Sequence, residues 1–233
     1  MIFVFDQVRW TGHHAPKGSL SFQLRSGTTG AVTGGPASVL TEVLLLAAGI
    51  IRCTHGRVGL VQEAPDGREA AWHAPSPATV ALGPVAALNP LFDTLSVREH
   101  VRSQLALFRQ KSIQERTRQL LEQFDLMDVA KQRIKDLDAF AQFRVGTAVA
   151  MAGDPRFILL DQPLASLTPA ERETAWRLFE DLNRADVGVL FTAAQPEEAA
   201  RANVVVDISQ AEEGEQHATV DHLPRRMGAS LGK

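Results

Sequence analysis

The chain has 233 residues, a formal net charge of −3 and 45% hydrophobic residues, enough apolar content for a core in one domain or one domain with a subdomain. No basic cluster stands out, which excludes a nucleic-acid binder, and a single cysteine, Cys53, excludes an intrachain disulfide and suits a reducing cytosol. The longest apolar run, Val43 to Ile51, is shorter than the roughly 20 residues a bilayer span needs. No basic leader with an apolar core opens the sequence, so the expectation is a cytoplasmic protein without direct membrane insertion.

Met1 to Phe5 reads as a strand and Ser19 to Leu24 as a second, together an antiparallel flap. A short strand, Gly30 to Thr33, runs through the Gly-rich stretch after Thr33 into an apolar helix that Gly49 closes. Gly56 to Leu60 reads as an edge strand and Ala78 to Leu82 as a buried one. The texture then turns helical. Ser96 with Glu99, and Ser112 with Glu115, have capping-box spacing ahead of apolar faces built from Val97, Val101, Leu105 and Phe108, then Leu120, Leu121 and Phe124. Arg156 to Asp161 is an apolar strand ending in a carboxylate. Thr168, Pro169 and Glu171 are N-cap, first-turn proline and capping acid of a helix that presents Trp176, Phe179 and Leu182. Gly188 to Thr192 and Val204 to Ile208 are further strands with a helix between them, and residues 209–233 read as a flexible polar tail. Strands alternating with helices predict a mostly parallel α/β sheet. The core is expected over 1–87 and 147–208, with a helical subdomain over 88–146. His13-His14 has no metal spacing, and no metal site is expected.

Several spacings together carry a resemblance. They are Ala48 to Val58, Ala87-Leu-Asn-Pro90 followed by Leu95 to Glu99, Gly153 to Pro163, and Leu164-Ala-Ser-Leu167. In that order they resemble the stretch after the phosphate loop, the segment after the glutamine loop, the Walker B strand and the D-loop of the nucleotide-binding domain of ABC transporters. The resemblance covers residues 1–208 and implies an ABC-type P-loop cassette: a mostly parallel sheet core, an N-terminal antiparallel β part and a helical subdomain.

The departures fall on the stations that handle nucleotide. Counting G-x-x-x-x-G-K-[ST] from Gly34, the second glycine is Val39, the lysine is Leu40, and the Ser/Thr is Thr41. Leu40 cannot neutralise phosphate, although a helix N-terminus still offers N–H groups to an anion. The glutamine expected at or near Leu82 is missing. The L-S-G-G-Q signature reads Leu137-Asp138-Ala139-Phe140-Ala141. Asp161 keeps the Walker B carboxylate, but the catalytic glutamate is Gln162, and the switch histidine is Ala193. Loss of a general base alone costs about 10²–10⁴ in rate. Trp10 is either an adenine-stacking ring or packing. Asp161 is either a magnesium ligand or a carboxylate kept for structure, and the loop is either a residual nucleotide site or an inherited turn.

Three functions follow. A degenerate ATPase with no catalytic residue and no expected cofactor would be a structural or regulatory subunit beside a membrane permease, another cassette subunit, or both, peripheral at the inner face of the membrane. A soluble scaffold is the alternative. A weak ATPase that binds ATP with Mg²⁺ and is completed by a partner is the third. Because the signature is lost as well as the loop, a conventional pair with an active cassette would leave both composite sites incomplete. The resemblance also implies a partner groove at the base of the helical subdomain, for which Leu88, Leu91, Phe92 and Leu95 are candidates; the plain alternative is that they form hinge and core.

Overall fold

The computed structural model describes residues 1–12, 15–62, 71–86 and 88–212. His13-His14, Ala87 and the tail from residue 213 onward lie outside the described residues.

Two sheets stack. The first is antiparallel, in the order β2-β1-β4-β5, from β1 (Ile2–Arg9), β2 (Leu20–Arg25), β4 (His55–Gln62) and β5 (Ala71–His73). The second is wholly parallel, in the order β6-β7-β8-β3-β9, from β3 (Thr29–Thr33), β6 (Val80–Leu82), β7 (Phe157–Leu160), β8 (Gly188–Thr192) and β9 (Val204–Asp207). The segment around Gly56–Leu60, expected at an edge, is interior, because the three-residue β5 covers its free side.

Side-chain alternation explains why the parallel sheet is buried on both faces. Phe157, Leu159, Leu190 and Val32 point toward the antiparallel sheet and α1 (Ala37–Ala47). Ile158, Leu160, Val189, Phe191 and Ala31 point the other way, into a core shared with α4 (Ala139–Ala150) and α5 (Pro169–Arg184). Helix α1 fits between the sheets because it is apolar nearly all round, burying Val39, Leu40, Val43, Leu44, Leu46 and Ala47. It ends in a Schellman turn: Gly49 (φ 72°) donates to Leu46 O at 3.0 Å and Ile50 to Leu45 O at 2.9 Å.

The helical insert holds α2 (Val97–Leu107) and α3 (Ile113–Gln123), and α4 runs through residue 146 rather than stopping there. The Ser96–Glu99 box forms at α2, with the Glu99 carboxylate accepting the Ser96 N–H at 2.9 Å, which holds its carboxyl below the usual range. The Ser112–Glu115 box does not form. Ser112 is left-handed (φ 53°), so its hydroxyl cannot cap, and Glu115 pairs instead with Arg118. Between β8 and β9 the expected helix is only a 3₁₀ turn, Pro196–Ala199. At α5 the Thr168–Glu171 box forms. Replacing Thr168 by Ala is therefore expected to cost about 1 kcal/mol in a urea unfolding titration.

Candidate functional site

Only Gly34, Gly35 and Pro36 separate β3 from α1. Gly34 takes φ 84°, and a side chain there would collide with the Asp207 carboxylate. Asp207 is held by the Ser209 backbone N–H at 3.0 Å and the Ser209 hydroxyl at 2.7 Å. A carboxylate thus rests against the first glycine of the loop. Pro36 starts α1 without a side-chain cap, and its carbonyl accepts the N–H groups of Val39 at 2.9 Å and Leu40 at 3.1 Å. A phosphate loop leaves such donors to cradle phosphate; here these two are spent on the first helical turn. The side chains of Val39 and Leu40 are each 1% exposed and belong to the core between the sheets.

Thr41 does meet Asp161. Its hydroxyl lies 2.9 Å from Asp161 Oδ2 and 3.0 Å from Ala37 O, and its one proton serves either acceptor. The other carboxylate oxygen, Oδ1, accepts the Thr192 hydroxyl at 2.7 Å, and Thr192 Oγ1 in turn accepts the N–H of Gln162 at 2.8 Å. One carboxylate therefore ties the second turn of α1 to the ends of β7 and β8. Gln162 sits at φ 45°, a left-handed conformation that costs a non-glycine residue about 1 kcal/mol.

The other stations lie apart from this cluster. Leu82, the last residue of β6, is half-buried against the core between the sheets. Ala193 is fully buried in the core on the other face and donates its N–H to Val32 O at 2.9 Å. At the signature, Leu137 and Ala141 are buried, Ala139 is exposed, and Phe140 lies under the Arg144 guanidinium, 4.9 Å from the ring centre. Asp138 is the N-cap of α4 and accepts the Ala141 N–H at 2.7 Å. That helix end already holds an anion of its own.

Trp10 is packing. It is 6% exposed, in the core between the sheets, and its Nε1–H donates to Glu42 Oε2 at 2.7 Å. Glu42→Ala would leave that buried donor without its charged acceptor, so a loss of roughly 2 kcal/mol is expected on urea unfolding, with Glu42→Gln losing less.

The four groove candidates do not share one face. Leu88 is 51% exposed and Phe92 58%, whereas Leu91 packs against the helical core and Leu95 is half-buried. The reason is local. Asn89 closes a turn by accepting the Val85 N–H at 2.9 Å and donating to Gly83 O at 3.0 Å, and this fixes which residues of the loop face out. Sequence reasoning missed Thr192 and Asp207. Thr192 directly precedes Ala193, and its hydroxyl at a strand end was the available signal.

Comparison with known proteins gives this geometry its context. A family model described as ABC transporter matches residues 18–165. The chain is 31% identical over 167 residues to a ribose import ATP-binding protein, RbsA 1, of Agrobacterium fabrum, covering 68% of this chain and 31% of that protein. It is 28% identical over 193 residues to the ABC transporter ced-7 of Caenorhabditis elegans, covering 82% of this chain and 11% of that protein. The chain thus spans a third or less of these two relatives. Among solved structures, cbiO1 of Clostridium perfringens, part of the ABC transporter complex cbiONQ, aligns with a TM-score of 0.69 at 16% identity, over 89% of this chain and 85% of that one. A nucleotide-free ATP-binding cassette from an ABC transporter aligns with a TM-score of 0.68 at 16% identity, over 90% and 88%. These likenesses carry the fold, and with the family model spanning more than half of the sequence, the chain belongs to the ABC transporter family as an ATP-binding cassette.

Proposed function

We propose that this cassette is non-catalytic and serves as a structural or regulatory subunit of a transporter-like membrane complex, held at the inner face by a permease, with or without a second cassette. The observation that carries the reading is Leu40. The position that must present an ammonium to the β- and γ-phosphates is an aliphatic side chain 1% exposed in the core.

The residues present fit Mg-ATP poorly, which supports the same reading. The loop has no lysine, and the Asp207 carboxylate stands against Gly34. Asp161 is satisfied by two threonine hydroxyls, and Gln162 cannot take a proton from water. Phosphoryl transfer rests on several such groups acting together, and no single replacement restores them. Among the described residues no helix is long and apolar enough to cross a membrane, so attachment would run through a partner. The exposed Leu88 and Phe92 at the base of the helical insert are the surface best suited to it.

The test has two arms. Titration of the pure chain with a fluorescent ATP analogue and Mg²⁺ is expected to show no saturable binding up to about 1 mM, and no hydrolysis above buffer. Micromolar saturable binding, near −8 kcal/mol, would support the partner-completed ATPase instead. Purification of the tagged chain from detergent-solubilised membranes is expected to bring an integral membrane permease with it. Recovery of soluble proteins alone would favour the scaffold reading.

A further inference from the structure

The edge strand β9 ends beside β3, with Thr33 and Asp207 paired at the last step of the ladder. Strand alternation puts Thr33, Val205 and Asp207 on the same face as Ala31. This end of the sheet opens into a recess of about 470 Å³, within the roughly 300–1,000 Å³ typical of small-molecule sites. Thr41, Asp161 and Gln162 do not line it. It lies along β9, which flanks β3 on the side opposite β8 and its Thr192. Two 3₁₀ turns wall it, Pro196–Ala199 and Ile208–Glu212. The second closes against the chain just ahead of β2 because Gly18 has no side chain; a Cβ there would strike the Ala211 carbonyl.

The polar groups of the recess have one sign. Thr33 is 7% exposed, yet its hydroxyl makes no hydrogen bond among the described residues. A buried hydroxyl without a partner is costly, and this one lines the recess. Asp207 gives Oδ1 to Ser209, while Oδ2 has only a long contact with Gln210 Nε2, at 3.4 Å. The Gln210 amide oxygen accepts nothing among the described residues. No lysine or arginine lines the recess. Three groups that can accept hydrogen bonds, one of them a carboxylate, therefore share a space without a cation. This is the reverse of a phosphate cradle. A primary ammonium has three N–H donors and no acceptor, and with a reference pKa of about 10.4 it stays charged at neutral pH. The lining from Pro196, Ala200 and the half-exposed Val205 is apolar, which suits a short hydrocarbon stem.

We infer that this recess is a binding site for a small primary amine, held as its ammonium by Asp207, Thr33 and Gln210, with its carbon chain along Pro196 and Val205. The inference goes beyond the non-catalytic reading and does not depend on it.

The test is a titration of the full chain with n-butylammonium chloride at constant ionic strength, followed by amide chemical shifts. Saturable shifts confined to residues 33–34, 196–200 and 205–210 are expected, with a Kd on the order of 1 mM. Sodium butyrate, of the same length and opposite charge, is expected to produce none. Asp207→Asn keeps the oxygen that Ser209 needs and should weaken binding about tenfold. Thr33→Val should weaken it about fivefold and leave Tm at or above the parental value, since valine removes a hydroxyl that the free protein does not satisfy. Ala200→Phe, at an exposed position, should abolish binding by filling the recess without disturbing the core. No saturable shift in the parent chain, an equal response to butyrate, or an affinity unchanged by both Ala200→Phe and Asp207→Asn would overturn the inference. A Thr33→Val chain with lowered Tm and parental affinity would make Thr33 a structural hydroxyl and refute its part in the site.

Discussion

Rebuilding the phosphate loop as Val39→Gly with Leu40→Lys is expected to unfold the cassette part-way rather than to revive it. Both side chains are 1% exposed and pack among Val32, Leu159 and Leu190 between the two sheets. Removing a buried valine side chain costs about 2 kcal/mol. Glycine in a helix adds up to ~1 kcal/mol. Lysine at position 40 must either leave an ammonium in an apolar core or leave the core with a void behind it, and either way several kcal/mol more are lost. A combined loss of about 5 kcal/mol is comparable to the whole stability of many domains. For a chain of this length it corresponds to a drop in Tm of roughly 10–20 °C. Thermal unfolding of the double variant, with and without millimolar Mg-ATP, checks it. A variant that keeps its Tm, or regains it with nucleotide, would show that the loop can still open into a cradle and would count against the non-catalytic reading.

Which features were legible in the sequence follows from where their causes lie. The Ser96–Glu99 and Thr168–Glu171 boxes were readable because both partners sit within one helical turn. The same spacing at Ser112–Glu115 misled, because Arg118 lies one turn further on and draws the glutamate away while Ser112 takes a left-handed backbone. The central strands were readable from their apolar runs. The interior place of β4 was not, since it depends on β5, a strand of three residues with no alternation to reveal it. At the site, the missing lysine and the Gln162 replacement could be counted off a motif. The inward aim of Leu40, the pressure of Asp207 on Gly34 and the approach of His100 to Phe92 could not, because each joins an element to a loop whose path only the fold decides.

His100 also gives the protein a pH dependence of known sign. Burial lowers its pKa below the ordinary 6.5. The unfolded chain therefore binds a proton that the native one refuses, and stability falls as pH drops below about 6.5 toward the depressed native value. His100→Leu should flatten that part of the stability-versus-pH curve without changing it above neutrality.

Asp161 separates a structural carboxylate from a magnesium ligand most sharply. Its two oxygens accept hydroxyls from Thr41 and Thr192, and Thr192 is 1% exposed. Asp161→Ala strands the Thr192 hydroxyl and cuts the tie between α1, β7 and β8, so a loss of about 2–3 kcal/mol on urea unfolding is expected. Asp161→Asn behaves differently. Its amide oxygen can still accept from Thr192, and its NH₂ can donate to Thr41, whose own proton turns to Ala37 O at 3.0 Å. The expected loss is under ~1 kcal/mol, and the assembly with membrane partners should survive. In a working magnesium site the order of effects is not the same: asparagine removes the charge that holds the ion and is nearly as damaging to function as alanine. An Asp161→Asn chain that folds with parental stability but loses its cellular role would therefore place charge, and with it a bound cation, back at the centre of this cassette. Equal stability losses for Ala and Asn would mean that the hydroxyl ladder does not carry the load assigned to it.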